Sequence, residues 1–366
     1  MSMIVDNPEK IIRVWFLAVF LIYATISAFG IERGIHEKKL SNQLHAERLT
    51  QGLYENGKTR ATWDKGLLSR SSPIKVASGI YVERIIDLSL TNASWIVDFY
   101  VWFRWEDKQI HPGSSFQVVD GEILKKERVD RDLNNFPYYE LYRVKAKMTK
   151  FFNTTRFPRD DHLLTIKIED TVNQIYSQEF IPDVEGSAVS SRVKLHGYEV
   201  YHDKLVQKYH SYKTSRGEAT YADDVQETYS QLIYGIWIKR PGWGNYIKMF
   251  EGLFAAVAVG MLSFFLRTTT TNRISLGVGA FFASVAANYV ASRNLPNIGI
   301  LTITDVITGV AMATIFLVIW HTIIATRLYE LHKDDHMVHR FDMYGFIIFL
   351  SGFVFANIAL VVSASN

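Results

Sequence analysis

Between Arg267 and Leu301 the chain carries a pattern suited to acting on ions. Ser275, Gly279, Phe282, Ala286, Tyr289 and Arg293 recur at steps of four, three, four, three and four, so they share one face of a helix. That face is small and weakly polar at its start and aromatic from Phe282 onward. Several copies brought together would line a path, and a ring of Phe282 side chains would close it by dewetting. Close helix packing in a membrane asks for the same Ser/Gly/Ala face, so the spacing leaves both readings open. Charged rings at the mouths of such a path would set selectivity. Arg273 and Arg293 stand at its two ends, and no acid lies between 268 and 304, which leans toward anions. Arg273 has a second reading, in which it turns into the helix flank or snorkels to the interface. Glu251, near one end of another apolar run, could sense protons or sit at headgroup level beside Lys248.

Enzymatic chemistry has little to stand on. Cysteine is absent, which removes disulfides, thiolate metal sites and Cys nucleophiles. His332 and His336 are spaced like metal ligands but lack a third partner nearby. No Gly-x-Ser-x-Gly, phosphate-loop or dinucleotide motif is present. We therefore expect no enzyme, no resident cofactor and no bound metal, apart from modulation by Ca²⁺. The net charge is +3 and no long basic run occurs, so no nucleic-acid partner is expected.

The elements that would position the patterned helix are mostly apolar. Of 366 residues 48% are hydrophobic and 21% charged, and the charges crowd into about 31–243. A bilayer-spanning helix needs about 20 mainly apolar residues. The stretches 246–266, 274–291, 303–325 and 341–362 meet or approach that length and follow one another closely, as one four-helix unit. An earlier apolar stretch within 1–30, preceded by Lys10 and Arg13, reads either as a signal peptide or as a membrane anchor. Residues 31–72 read as a helical and loop extension. Arg267, Arg273, Arg327, Lys333 and Arg340 flank the spans on one side, which puts those connectors in the cytoplasm and the C-terminus outside. The expected location is the cell's inner (plasma) membrane, crossed several times.

From Pro73 to 241 the period changes to two. Ile74–Ile86 and Trp95–Trp105 alternate around the turn Thr91-Asn92-Ala93, and further strands are expected near 116–124, 138–149, 162–169, 178–181, 192–206 and 226–239. Many strands without intervening helices predict an extracytoplasmic all-β, immunoglobulin-like sandwich. The fold class is thus a multidomain membrane protein: that sandwich, then an all-α transmembrane bundle over 242–366, with an N-terminal apolar helix.

This order of parts resembles the pentameric ligand-gated ion channels, the Cys-loop receptor superfamily, in their prokaryotic form. The resemblance rests on Gly79-Ile80-Tyr81, Phe99–Trp105, Phe157-Pro158-Arg159-Asp160, Leu164-Thr165-Ile166-Lys167, Arg240, Arg273–Val278 and Leu295-Pro296 with Leu301-Thr302 and Asp305. The two signature cysteines of other members would fall at Lys150 and Leu164. The resemblance implies a homopentamer whose outer domain binds a small molecule, proton or Ca²⁺ and gates a pore lined by Ser275, Gly279, Phe282, Ala286 and Tyr289. It implies coupling through Asn92, Phe157, Pro158, Asp160, Arg240 and Pro296, with a salt bridge from Asp160 to Arg240. Tyr138, Tyr176, Tyr221, Asp223 and Asp224 are the candidate ligand residues, and sandwich packing or a solvated loop is their alternative. A non-conducting membrane sensor or scaffold with a solute-binding sandwich is the rival reading of the whole chain.

Overall fold

The computed structural model describes residues 8–50, 72–212, 227–270, 272–292 and 299–365. They fall into two compact units. One comprises residues up to Leu40, Asn153–Asp160 and the chain from Gly242; the other comprises Ser41–Phe152 and Asp161–Pro241.

The second unit is built of strands β1 (Ile74–Ser89), β2 (Ser94–Trp105), β3 (Phe116–Val119), β4 (Gly121–Asp132), β5 (Tyr138–Thr149), β6 (Asp161–Asp170), β7 (Gln178–Pro182), β8 (Ala188–Val189), β9 (Glu199–Ser211) and β10 (Thr228–Lys239). One sheet has the order β4-β5-β2-β1-β7, with β8 also on β1; the other has the order β3-β6-β10-β9. Alternate residues of both sheets meet in one core. Val97, Phe99, Val101 and Phe103 of β2 and Val144 and Ala146 of β5 join Leu164, Ile166 and Ile168 of β6 and Leu232, Tyr234 and Ile236 of β10. This is the period-two pattern at work, because every second side chain points to the same face. The strand expected over 116–124 is two strands. Asp120 takes φ 61°, the left-handed region, and breaks the run. The strand expected over 192–206 begins only at Glu199.

On β2 the alternation is interrupted by an acid. Asp98 is buried and accepts from Arg143 Nε at 3.0 Å, Arg143 Nη2 at 2.8 Å and Arg84 Nη2 at 2.7 Å. The Arg143 hydrogen bond is the main cause holding its carboxyl below the ordinary value, with Arg84 adding and burial opposing.

The first unit is helical. Helix α1 runs unbroken from Pro8 to Arg48, and α2 (Gly244–Met261) continues into a tighter turn, Leu262–Phe265. Then come α3 (Asn272–Ser292), α4 (Ile303–His332) and α5 (Asp335–Ser365). Among the described residues five helices are long and apolar enough to cross a membrane, α1 among them. Helix α1 runs on past residue 30, and Gly30 and Gly34 sit inside it. Each is a close approach to α5, since a Cβ on Gly30 would lie 2.0 Å from Leu360 Cδ2 and one on Gly34 2.7 Å from Ser363 Oγ. Small residues four apart allow such contact in apolar surroundings. The start of α4 carries a capping box. Thr302 Oγ1 accepts from Asp305 N at 3.2 Å, and the Asp305 carboxylate accepts from Thr302 N at 2.7 Å.

The last turns of α1 belong to the strand unit. There Leu49 is buried with Leu163, Val206 and Ile233, and Lys208 Nζ donates to the Glu47 carbonyl at 2.7 Å. A cation on the final carbonyls suits a helix C-terminus. Gly235 makes the room, because a Cβ there would lie 2.4 Å from Leu49 Cδ1.

Candidate functional site

Helix α3 has two faces with different small residues. The face toward its own chain buries Arg273, Gly277, Ala280, Ser284 and Ala291. Gly277 is required there, since a Cβ would lie 2.5 Å from Ile319 Cγ1 of α4, and Ala280 lies against Gly260 of α2. The other face is the one singled out in the sequence: Ser275, Gly279, Phe282, Ala286 and Tyr289 are all exposed. Phe282 is 68% exposed and Tyr289 69%, and nothing lies within 4 Å of a Cβ placed on Gly279. Of the five apolar helices α3 is the least covered by its own chain. Close packing therefore accounts for Gly277, Ala280 and Ser284, but not within this chain for Gly279 or Ala286. Glu251 is exposed on α2.

Arg273 is a correction. Its charge is not offered at the end of the exposed face. The side chain is 1% exposed, with Nη2 2.8 Å from Asp342 Oδ1 and Nε donating to the Ser263 carbonyl at 2.9 Å. The physical reason is the cost of an unpaired charge among apolar helices, which the Asp342 carboxylate offsets. Arg293 lies outside the described residues, as do Pro296, Tyr221, Asp223 and Asp224.

Of the other expected coupling residues, Phe157, Pro158 and Asp160 are buried in the helical unit. Their loop is seated on three helix ends. The Thr155 carbonyl accepts from Ile303 N at 2.8 Å, and the Phe157 carbonyl from Thr304 Oγ1 at 3.1 Å, both at the start of α4. Arg156 Nη1 donates to the Ala364 carbonyl at 3.3 Å, in the last turn of α5, where the helix dipole favours a cation. Arg159 Nη1 donates to the Gly242 carbonyl at 2.8 Å and lies over the Trp243 ring just before α2. Asn92 and Arg240 belong to the strand unit. Asn92 is exposed in the β1–β2 turn, its N–H donating to Ser89 Oγ at 3.1 Å. Arg240 donates to the Tyr198 hydroxyl at 2.7 Å and stacks on that ring.

The ligand candidates that are described lie apart in sequence and setting. Tyr138 opens β5 and packs on Trp105 and Phe136; Tyr176 is half-buried between β6 and β7. Among the described residues no group of three or more His, Asp or Glu side chains could hold a metal ion. Lys150, at a signature position of the resemblance, has a strongly depressed amine. Burial pushes its amine down to about 7, and the Arg48 and Lys167 cations push the same way.

Sequence reasoning missed one group altogether. His321 on α4, 0% exposed, and Asp342 on α5, 4% exposed, join Arg273 of α3 in a buried polar cluster, which the partly buried Trp15 of α1 extends. An acid and a histidine inside apolar runs were the available signal. Compared with protein-family models and with curated protein sequences, the chain matches none.

Proposed function

We propose that this chain is one subunit of a homo-oligomeric ion channel of the pentameric ligand-gated type. In this reading the two sheets form an outer immunoglobulin-like sandwich, α2–α5 form the four-helix membrane unit, and α1 is a further span. The observation that carries the reading is the uncovered face of α3. It presents Ser275, Gly279, Phe282, Ala286 and Tyr289 together, while a separate set of small residues serves packing. A face of that mixture suits an aqueous path better than lipid, and Phe282 is its closing ring. The seat of residues 153–160 on the starts of α2 and α4 supports a second part of the reading. A displacement of that loop would be passed to the helices flanking α3.

Selectivity follows from what remains at the mouths. With Arg273 buried against Asp342, the lean toward anions rests on Arg293. A small molecule, a proton or Ca²⁺ acting on the outer domain would shift a closed–open equilibrium. The test is current through purified protein in planar bilayers under asymmetric KCl, with pH and Ca²⁺ stepped, beside Phe282→Ala. Unitary currents whose threshold or open fraction changes in Phe282→Ala support the pore, and the reversal potential decides the ion. Silence from both, with reconstitution and oligomeric state verified, favours the non-conducting sensor.

A further inference from the structure

We propose that α1 is a working part of the membrane unit, positioning the first turn of α3 through the chain Trp15–His321–Asp342–Arg273. The inference concerns helix α1, for which the channel reading has no task, and it rests on that reading only for its electrical consequence.

The geometry gives each member a directed role. Trp15 Nε1–H is a donor only, and it donates to His321 Nδ1 at 3.0 Å. That nitrogen must then be the acceptor, so the proton of the neutral ring sits on Nε2. Nε2 faces Asp342 Oδ1 at 3.3 Å, the same oxygen that accepts from Arg273 Nη2 at 2.8 Å. The indole of α1 thereby selects the imidazole tautomer, and the imidazole in turn helps fix the carboxylate that holds α3. The ring has little freedom to do otherwise. It stacks on Phe341 at 4.0 Å between centroids, and a Cβ on Gly345 would lie 2.5 Å from its Cε1.

Arg273 is poorly explained without this chain. It is the second residue of α3, where the positive end of the helix dipole disfavours a cation. Its charge is desolvated as well, so the position costs stability twice over, and Asp342 is what retains it. Arg273 Nη1 and Ser263 Oγ are both buried without a hydrogen-bond partner. Along the rest of its length α1 is fastened independently. Val19 is fully buried, and the Tyr23 hydroxyl meets Thr314 Oγ1 at 2.7 Å. Substitutions can therefore separate anchoring of the helix from the relay.

The experiment uses the full-length protein with Trp15→Phe, which removes the N–H and keeps a ring, and Val19→Ala, which loosens α1 without touching the relay. Amide hydrogen exchange is read over residues 272–280 of α3, and currents are recorded in bilayers. Trp15→Phe should speed exchange in that segment about fivefold and shift the closed–open ratio by a similar factor, which is about 1 kcal/mol for one hydrogen bond. Val19→Ala should leave the segment unchanged. Equal effects of the two variants would mean that packing alone is at work and would overturn the relay. So would an unchanged segment in Trp15→Phe. If no variant conducts but the exchange difference persists, the relay stands and the channel reading fails.

Discussion

Replacing Lys150 by methionine should make the strand unit more stable at neutral pH, although it deletes a charge from a protein surface region. Lys150 follows β5 directly, with its Nζ 5.6 Å from the centre of the Phe152 ring. Its electrostatic neighbours are cations: Arg48 at the end of α1 and Lys167 of β6, the latter engaged by Asp120 at 3.1 Å. Phe152 packs in turn on the His162 ring. Burial first, and then these cations, bring the amine from its ordinary 10.5 to about 7. The folded state therefore releases a proton that the unfolded chain keeps between about pH 7 and 10.5, so stability rises with pH across that window. At pH 7 nearly the whole cost is present. Converted directly it is on the order of 5 kcal/mol. The site retains some solvent, and screening reduces this to about 2–3 kcal/mol. Methionine keeps the length and the apolar stem without the penalty. Thermal unfolding of Lys150→Met and wild type, followed by tryptophan fluorescence in detergent from pH 6 to 10.5, should show the variant about 5–10 °C higher at pH 7. The gap should close as pH approaches 10.5. A gap that does not change with pH, or a variant less stable at pH 7, would refute the reasoning.

Four further outcomes are expected. On the proposed channel reading, Phe282→Ala should raise the open fraction or lower the threshold, because a dewetting ring would be removed; unaltered unitary currents would remove Phe282 from the proposed gate. Asp98→Asn should cost about 1–2 kcal/mol at pH 7, since two arginines lose a buried charged acceptor. A depressed carboxyl contributes its stability above its unfolded value of about 3.9 and loses it as pH falls through the folded value, so urea titrations should converge below about pH 4. Leu49→Ala should cost about 2–3 kcal/mol by emptying the space over Gly235, and Gly235→Val should free the end of α1; faster amide exchange over residues 41–48 would report both.

Much of this protein is determined by the sequence at short range. The period of two over β1 and β2 predicts the strands, because side-chain direction in an extended chain is a purely local matter. The exposed face of α3 was legible for the same reason: a step of 3.6 residues puts Ser275, Gly279, Phe282, Ala286 and Tyr289 on one side whatever surrounds the helix. Local spacing cannot say what a face meets. Which small residues of α3 pack within the chain was not legible in the spacing; Ile319 lies against Gly277, and open space lies beside Gly279. Nothing local marks Gly30 and Gly34 as contacts; their partners Leu360 and Ser363 lie more than three hundred residues on. Arg273 shows the limit most clearly. In the sequence it is a cation at the mouth of a helix, but Asp342 and His321 lie 69 and 48 positions away. Charge pairing acts through space in a medium of low dielectric, so it was the tertiary structure that turned a surface charge into the buried end of a relay beginning at Trp15.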